Sequence, residues 1–302
     1  MSRVFLVGAS GTIGQATAAA LVAAGHEVAS YLRPTSQAAV PGTIIRGTLE
    51  AFPPLDGYDA VVSCLASRSG APRDAWAIDH DAHLALLRAA EAGGVQHFVL
   101  LSAICVQKPR LEFQKAKLAF EGALQASGLR YSIVRPTAYF KSISGQLARV
   151  KAGKPYLMFG DGALTACKPI SNRDLGRYIA SCLQDPDKVD KVLPVGGPGP
   201  ALTPRDIGEM LFRLTGQTPT YKTVPPGALK FLARALGLFG MKDRAEFART
   251  GHYYATESML VWDGARYDAD ATPEFGSDRL EHYLEALLSG AQADERGAHA
   301  VF

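Results

Sequence analysis

The sequence predicts an α/β fold, a doubly wound parallel sheet with a smaller C-terminal lobe. Three observations carry that expectation. Short apolar, β-branched runs alternate with helical segments through the first half of the chain. The runs are apolar throughout rather than alternating, as in strands buried on both faces. The first of them, residues 4–7, runs into a glycine-rich turn that opens a helix. In order, residues 4–7 read as a strand and residues 12–24 as an alanine-rich helix stopped by Gly25, a residue type suited to the left-handed position after a helix. Residues 28–32, 43–46 and 59–64 read as the second, third and fourth strands. Residues 74–92 read as one long helix ended by Gly93-Gly94, and residues 98–101 as a continuous apolar strand. A helix over 111–126 and a strand over 131–134 follow, with right-handed crossovers as the default connection. After about residue 150 the rhythm changes. Gly153-Lys154-Pro155 and Gly160-Asp161-Gly162 are turns, residues 195–200 are a glycine/proline break, and Pro225-Pro226 leads a segment rich in Leu, Phe and Ala. The expected division is a sheet domain over 1–150 and, over 151–302, a smaller lobe interleaved with the last sheet elements.

Composition narrows the function classes. The 302 residues carry 32 Lys+Arg against 29 Asp+Glu, a net charge of +3, with 47 % hydrophobic residues, ample for a sizeable core. So mild and dispersed an excess argues against a nucleic-acid partner and against a basic membrane-surface helix. The four cysteines, Cys64, Cys105, Cys167 and Cys182, show no C-x-x-C spacing, so no zinc or iron–sulfur site is expected and the thiols read as free. No charged leader precedes the first strand and no apolar run is long enough to span a bilayer, so no integral membrane segment and a cytoplasmic location are expected.

The turn after the first strand is Gly8-Ala9-Ser10-Gly11-Thr12-Ile13-Gly14, a G-x-x-G-x-x-G pattern between strand and helix, the context of a Rossmann-type dinucleotide site. The first glycine serves the tight turn, the second admits a pyrophosphate, and the third lets the helix pack on the strand. Donors for the phosphates are expected from Ser10, Gly11, Thr12, Ile13 and Gly14 at the positive end of the helix dipole. The second strand ends without an acid to hold a ribose 2′-hydroxyl. Arg33 stands there instead, and a guanidinium suits the 2′-phosphate of NADPH, with Thr35 and Ser36 as added hydroxyls.

This loop resembles that of the short-chain dehydrogenase/reductase superfamily, whose members acting on alcohols or carbonyls carry Y-x-x-x-K on the helix after the fifth strand. The matching residues are Phe113-Gln114-Lys115-Ala116-Lys117. The lysine is kept and the tyrosine is Phe, both on one helical face. Lys117 remains able to hydrogen-bond a nicotinamide ribose, but no phenol stands there to relay a proton to a carbonyl. An atypical member with a substrate that is neither ketone nor alcohol is expected. Ser102, at the carboxyl edge of the fifth strand, could contact nicotinamide or substrate or simply bond the fold.

Longer stretches resemble the NADPH-dependent divinyl chlorophyllide 8-vinyl reductases: DAVVSCLASR (59–68), HFVLLSAICVQKP (97–109), LEFQKAK (111–117), YSIVRPTAYFKS (131–142), GKPYLMFGDG (153–162), ACKPIS (166–171) and YYATESML (253–260). The resemblance spans roughly residues 3–285. It implies an NADP-binding Rossmann domain over 1–150, a substrate lobe over 151–302, and reduction of the 8-vinyl group of a divinyl tetrapyrrole to ethyl. It further implies cofactor contacts from Leu65, Ala66, Ser102, Pro136 and Thr137 beside the glycine loop, Arg33 and Lys117. A flat apolar macrocycle with a propionate edge asks for aromatic walls and a polar anchor. Phe113, Tyr139, Phe140, Met158 and Phe159, with Phe247, Tyr253 and Tyr254 from the second lobe, are the expected walls. Lys168, Lys141 or Arg249 could pair with the propionate, and His252 could ligate the pigment's magnesium. The proton that completes the reduction is expected from Tyr139, with Lys117, Cys105 and water as alternatives. Plant members carry a plastid transit segment that this chain lacks, and the segments around 35–43 and 126–130 look shorter here. Two other readings stand beside this one: a non-catalytic NADP-sensing regulator, and an NADPH reductase of a smaller conjugated ene.

Overall fold

The computed structural model describes residues 1–68 and 70–292. The strands are β1 (Arg3–Val7), β2 (Glu27–Leu32), β3 (Thr43–Arg46), β4 (Ala60–Ser63), β5 (His97–Leu101), β6 (Arg130–Pro136), β7 (Tyr156–Phe159), β8 (Lys191–Val195) and β9 (Tyr221–Val224). Two short strands, β10 (Val261–Trp262) and β11 (Tyr267–Asp268), form an antiparallel hairpin. The helices are α1 (Thr12–Ala23), α2 (Pro72–Ala75), α3 (His83–Ala92), α4 (Glu112–Gln125), α5 (Phe140–Ile143), α6 (Leu147–Lys151), α7 (Asn172–Ser181), α8 (Pro204–Thr215), α9 (Pro226–Leu238), α10 (Lys242–Thr256) and α11 (Leu280–Ser289).

The chain falls into two compact units: Met1–Pro136 with Asn172–Pro194, and Thr137–Ser171 with the chain from Val195 onward. The crossing point is the end of β6 rather than residue 150, because α7 and most of β8 return to the sheet. The first unit holds a seven-stranded sheet in the order β3-β2-β1-β4-β5-β6-β8, and the pairings from β3 through β6 are parallel. The chain order reverses between β1 and β4, which is where such sheets open a ligand crevice at their carboxyl edge. Phe5 and Phe98 of the strands are fully buried with Phe120 and Leu124 of α4 and Leu86 of α3. On the other side, α7 packs on α1 so closely that a Cβ on Gly176 would lie 2.6 Å from the carbonyl carbon of Ala16.

One expected element is broken. Residues 74–92 are a turn of α2, a π-helix over Trp76–Ala82, and α3. The apolar period does not show this, because a single widened turn sits inside an otherwise helical pattern. The π-turn carries Asp79 inward, where it is 1 % exposed.

The second unit is smaller in sheet. β7 and β9 form a parallel pair, and Phe140, Leu147, Val150, Tyr156, Met158, Leu211, Phe212 and Leu284 close a core among α5, α6, α8 and α11. Helix α8 starts on a reciprocal cap: Thr203 Oγ1 accepts from Asp206 N at 3.2 Å, and Asp206 Oδ2 accepts from Thr203 N at 2.8 Å. α9 packs along α10.

The α1–α7 contact makes a testable contrast. Gly176→Ala must push the two backbones apart and should destabilise by about 1–3 kcal/mol. Gly122→Ala, in α4 with nothing within 4 Å of the new carbon, should stabilise by about 0.5–1 kcal/mol. Denaturant unfolding of the two variants checks the opposite signs.

Candidate functional site

The glycine turn is built by close approach. Gly8 has φ +83°, and a Cβ there would lie 2.5 Å from the carbonyl carbon of Cys64, the residue after β4. A Cβ on Gly14 would lie 2.1 Å from Gly8 O. Gly11 differs: its nearest neighbour would be Gly8 O at 3.5 Å, so the loop leaves room on that side. Gly11 is the N-cap of α1, no side chain caps the helix, and no acid lies in its first turn. The twelve-residue helix thus starts with neither a capping side chain at its N-cap nor an acid in its first turn, beside space that a Cβ at Gly11 would enter. Ser10 and Gly11 are exposed, Thr12 half-buried and Ile13 buried. Leu65 and Ala66 follow Cys64 in the loop after β4, beside this turn, with Leu65 N donating to Ser63 Oγ at 3.4 Å.

Arg33 stands exposed at the end of β2. The loop that carries it is pinned by Arg46, whose Nη1 donates to Ser36 O at 2.9 Å and reaches Arg33 O at 3.4 Å. Arg46 ends β3 opposite Leu32 and brings a second cation to the place where Arg33 was expected alone. Sequence reasoning passed over it because the pairing of β2 with β3, which brings it there, is tertiary.

Lys117 is half-buried, with most of its side chain covered, rather than a solvated surface lysine. Its Nζ lies 2.9 Å from Asp79 Oδ1, with side-chain exposures of 11 % and 0 %. Asp79 also accepts from Ser67 N at 3.2 Å and from Ser67 Oγ at 2.5 Å. The neighbouring Lys115 is the solvated one, paired with Glu112 at 2.7 Å. Phe113 is half-buried one turn before Lys117, in the place of the superfamily's tyrosine. The same π-turn holds a second group: His83 Nδ1 donates to Ile78 O at 2.9 Å, and Ser63 Oγ at the end of β4 donates to His83 Nε2 at 2.9 Å. Burial, reinforced by the Lys117 charge, pushes the His83 pKa down to about 4, so the ring is neutral at neutral pH. Asp79 was not among the expected site residues. Nothing in the sequence sets it apart from Asp74 and Asp81 on the same segment.

Ser102 is tied to the fold. Its hydroxyl donates to Glu121 Oε1 at 2.5 Å, and Arg135 Nε donates to the same oxygen at 3.2 Å. Arg135 also pairs with Glu121 Oε2. The Ser102 proton is thereby committed to a buried link among β5, α4 and β6. Pro136 ends β6 and is buried.

The remaining candidates lie in the second unit. Thr137 is buried, and its hydroxyl donates to Lys168 O. Tyr139 is half-buried at the N-cap of α5, its backbone bridged to Ile170. Phe140 and Met158 belong to the packed core, with Phe140 5.5 Å from the Tyr283 ring. Phe159 and Tyr254 are half-buried, while Tyr253 is buried against Tyr254 with ring centroids 5.7 Å apart. Lys168 is buried, and its Nζ lies 2.7 Å from Glu274 Oε1, so the expected anchor for a ligand carboxylate already holds an internal one. That hydrogen bond lowers the Glu274 pKa from its ordinary value. Arg249 is likewise paired, to Glu246 at 2.9 Å, and His252 is half-buried on α10. All four cysteines are free thiols, with burial raising Cys64, Cys167 and Cys182 to about 12.

Residues 8–186 match the family model described as NAD(P)H-binding. A protein of Oryza sativa subsp. indica named divinyl chlorophyllide a 8-vinyl-reductase, chloroplastic, is 46 % identical over 333 aligned residues that cover 100 % of this chain and 82 % of that protein. The protein of the same name from Cucumis sativus is 52 % identical over 257 residues, 81 % of this chain and 61 % of that protein. Among solved structures, an NADPH-dependent quinone oxidoreductase of Escherichia coli complexed with NADPH superposes with TM-score 0.71 at 17 % identity, covering 94 % of this chain and 99 % of that one.

Burial of His83 sets a pH dependence with a definite sign. Below pH 6.5 the unfolded chain binds a proton that folded His83 refuses until about pH 4. Stability is therefore full above pH 6.5, falls between 6.5 and about 4, and loses nothing more from this group below that. The loss is up to about 3 kcal/mol for His83. His97, lowered to about 4 first by burial, adds in the same window. Histidine NMR should show His83 neutral down to near pH 4; a midpoint above 6 contradicts the assigned burial and tautomer.

Proposed function

The chain belongs to the divinyl chlorophyllide a 8-vinyl-reductase family, and from that premise we propose that it reduces the 8-vinyl group of a divinyl chlorophyllide to ethyl with NADPH. The observation that carries the reading is 46 % identity to a relative of that name along the full length of this chain. The structure is compatible with the cofactor on its own terms: the glycine turn leaves room at Gly11, and this N-cap residue has no side chain to close the N-terminus of α1. The alternatives, a non-catalytic regulator and a reductase of a smaller ene, account less well for identity at this level.

NADPH, when bound, supplies the hydride that adds to the vinyl group. The residues have distinct tasks around it. Ser10, Gly11, Thr12, Ile13 and Gly14 present the donors for the pyrophosphate, with Gly8, Leu65 and Ala66 shaping the turn. Arg33, with Arg46 beside it, serves the 2′-phosphate. Lys117, held at its ammonium by Asp79, orients the nicotinamide ribose, and Pro136 and Thr137 lead the chain past the ring site. Ser102 supports this edge through Glu121. With Phe113 where a phenol would stand, the fold has no relay for carbonyl chemistry, which suits an alkene conjugated to a macrocycle able to spread the developing charge. Phe113, Phe159 and Tyr254, each half-buried, contact the pigment, backed by Phe140, Met158 and Tyr253. Lys168 meets the propionate only by exchanging Glu274. Tyr139 delivers the proton to the carbon next to the ring, a phenol being a side chain that can act as a general acid. A cytoplasmic location is part of this reading, although the plant relatives are chloroplastic by name.

Anaerobic incubation with NADPH and divinyl chlorophyllide, followed by the blue shift of the Soret band, tests the reaction; no shift sinks it. In that assay Tyr139→Phe should keep pigment binding and lose about 10²-fold or more in kcat. A variant within a few-fold of wild type assigns the proton to water. Arg33→Ala should weaken NADPH by about 1–3 kcal/mol and NADH little. Titration of both cofactors by fluorescence decides, and an equal loss overturns the 2′-phosphate contact.

A further inference from the structure

Helix α9 leaves a continuous apolar stripe uncovered. Phe231 and Phe239 are each 76 % exposed, Leu238 is 88 % exposed and Leu232 46 %. With Ala228 and Ala235 these residues recur at i, i+3, i+4, i+7, i+10 and i+11, so they form one face. Ala233 of the opposite face is buried, with Leu229 and Leu236 half-buried beside it. The helix is thus apolar nearly all round but packed on one side. Its two charged residues, Lys230 and Arg234, are exposed, stand one turn apart and lie together along one edge of the stripe. No Asp or Glu occurs between Glu209 and Asp243, whereas Lys222 and Lys242, both exposed, extend the positive charge at either end of the helix. The near-neutral whole chain conceals this local imbalance.

We propose that α9 docks the protein on the surface of a bilayer containing anionic lipid, lying in the plane of the interface with Phe231, Leu232, Leu238 and Phe239 among the acyl chains and Lys230 and Arg234 at the headgroups. Thirteen residues of helix rise about 20 Å, too short to cross, and no described helix is long and apolar enough to span. The arrangement of aromatic and aliphatic residues on one face with cations at its border is that of an interfacial helix. Charge decides against a second copy of the chain as the occupant. A two-fold contact through this stripe would bring Lys230 and Arg234 toward the same two cations of the other copy, and α9 itself carries no acid to pair them. The inference does not depend on which substrate the enzyme takes.

Flotation of the full chain with phosphatidylcholine vesicles, with and without phosphatidylglycerol, tests the assignment. The protein should float with the mixed vesicles, less so at high salt, and stay behind with pure phosphatidylcholine. Lys230→Gln and Arg234→Gln should each weaken binding about fivefold. The double variant F231S/F239S should abolish it while keeping the wild-type thermal melt and turnover of detergent-dispersed pigment, since both side chains are exposed. No flotation with mixed vesicles, or equal flotation with both kinds, overturns the proposal. So does a dimer, seen by light scattering, that F231S/F239S dissolves.

Discussion

Asp79 and Lys117 are an ion pair taken almost wholly out of water, and much of the first unit is arranged around it. Neither charge would be tolerated there alone: breaking such a pair by removing one partner costs about 3–5 kcal/mol, because the other charge stays buried. The carboxylate reaches the ammonium because the chain widens into a π-turn over Trp76–Ala82, and the carboxylate's remaining capacity is filled by Ser67. The same turn presents Ile78 O to His83, which in turn orients the Ser63 hydroxyl at the end of β4. One irregular turn thus joins α4, β4 and the loop that follows β4. For the proposed chemistry, this gives a lysine whose position is set by a buried partner rather than by a flexible stem in solvent.

The glycine turn shows a different economy, in which space rather than charge selects the residue. Gly8 and Gly14 are required by backbone contacts on the protein side, while Gly11 meets no such contact and leaves room for a ligand. The uncapped helix end completes the arrangement, since a capping side chain would occupy the donors that a pyrophosphate takes. Beyond β2, two guanidiniums divide the work. Arg46 is spent on loop carbonyls, and Arg33 projects from the loop that Arg46 holds.

The second unit mixes packing with candidate chemistry. Phe140 and Met158 sit in its core, where their first task is to hold α5 and β7 together. Of the expected wall residues in this unit, Phe159, Tyr139 and Tyr254 keep partial exposure. Helix α9 extends the same theme outward, carrying large apolar side chains where a purely soluble surface would carry polar ones.

Alternation of apolar runs with helical segments, the G-x-x-G-x-x-G turn and Arg33 at the end of β2 were legible in the sequence because each is a short-range pattern: period, turn chemistry and chain direction act over a few residues. The family was legible too, through long shared blocks. Tertiary structure alone decided the break in the helix expected over 74–92, the partnership of Asp79 with Lys117, the arrival of Arg46 beside Arg33, the commitment of the Ser102 proton to Glu121, and the pairing of Lys168 with Glu274. Apart from the helix break, each joins groups that the local pattern does not link. A buried charge must find a partner wherever the fold brings one, and local sequence carries no record of which residue that will be.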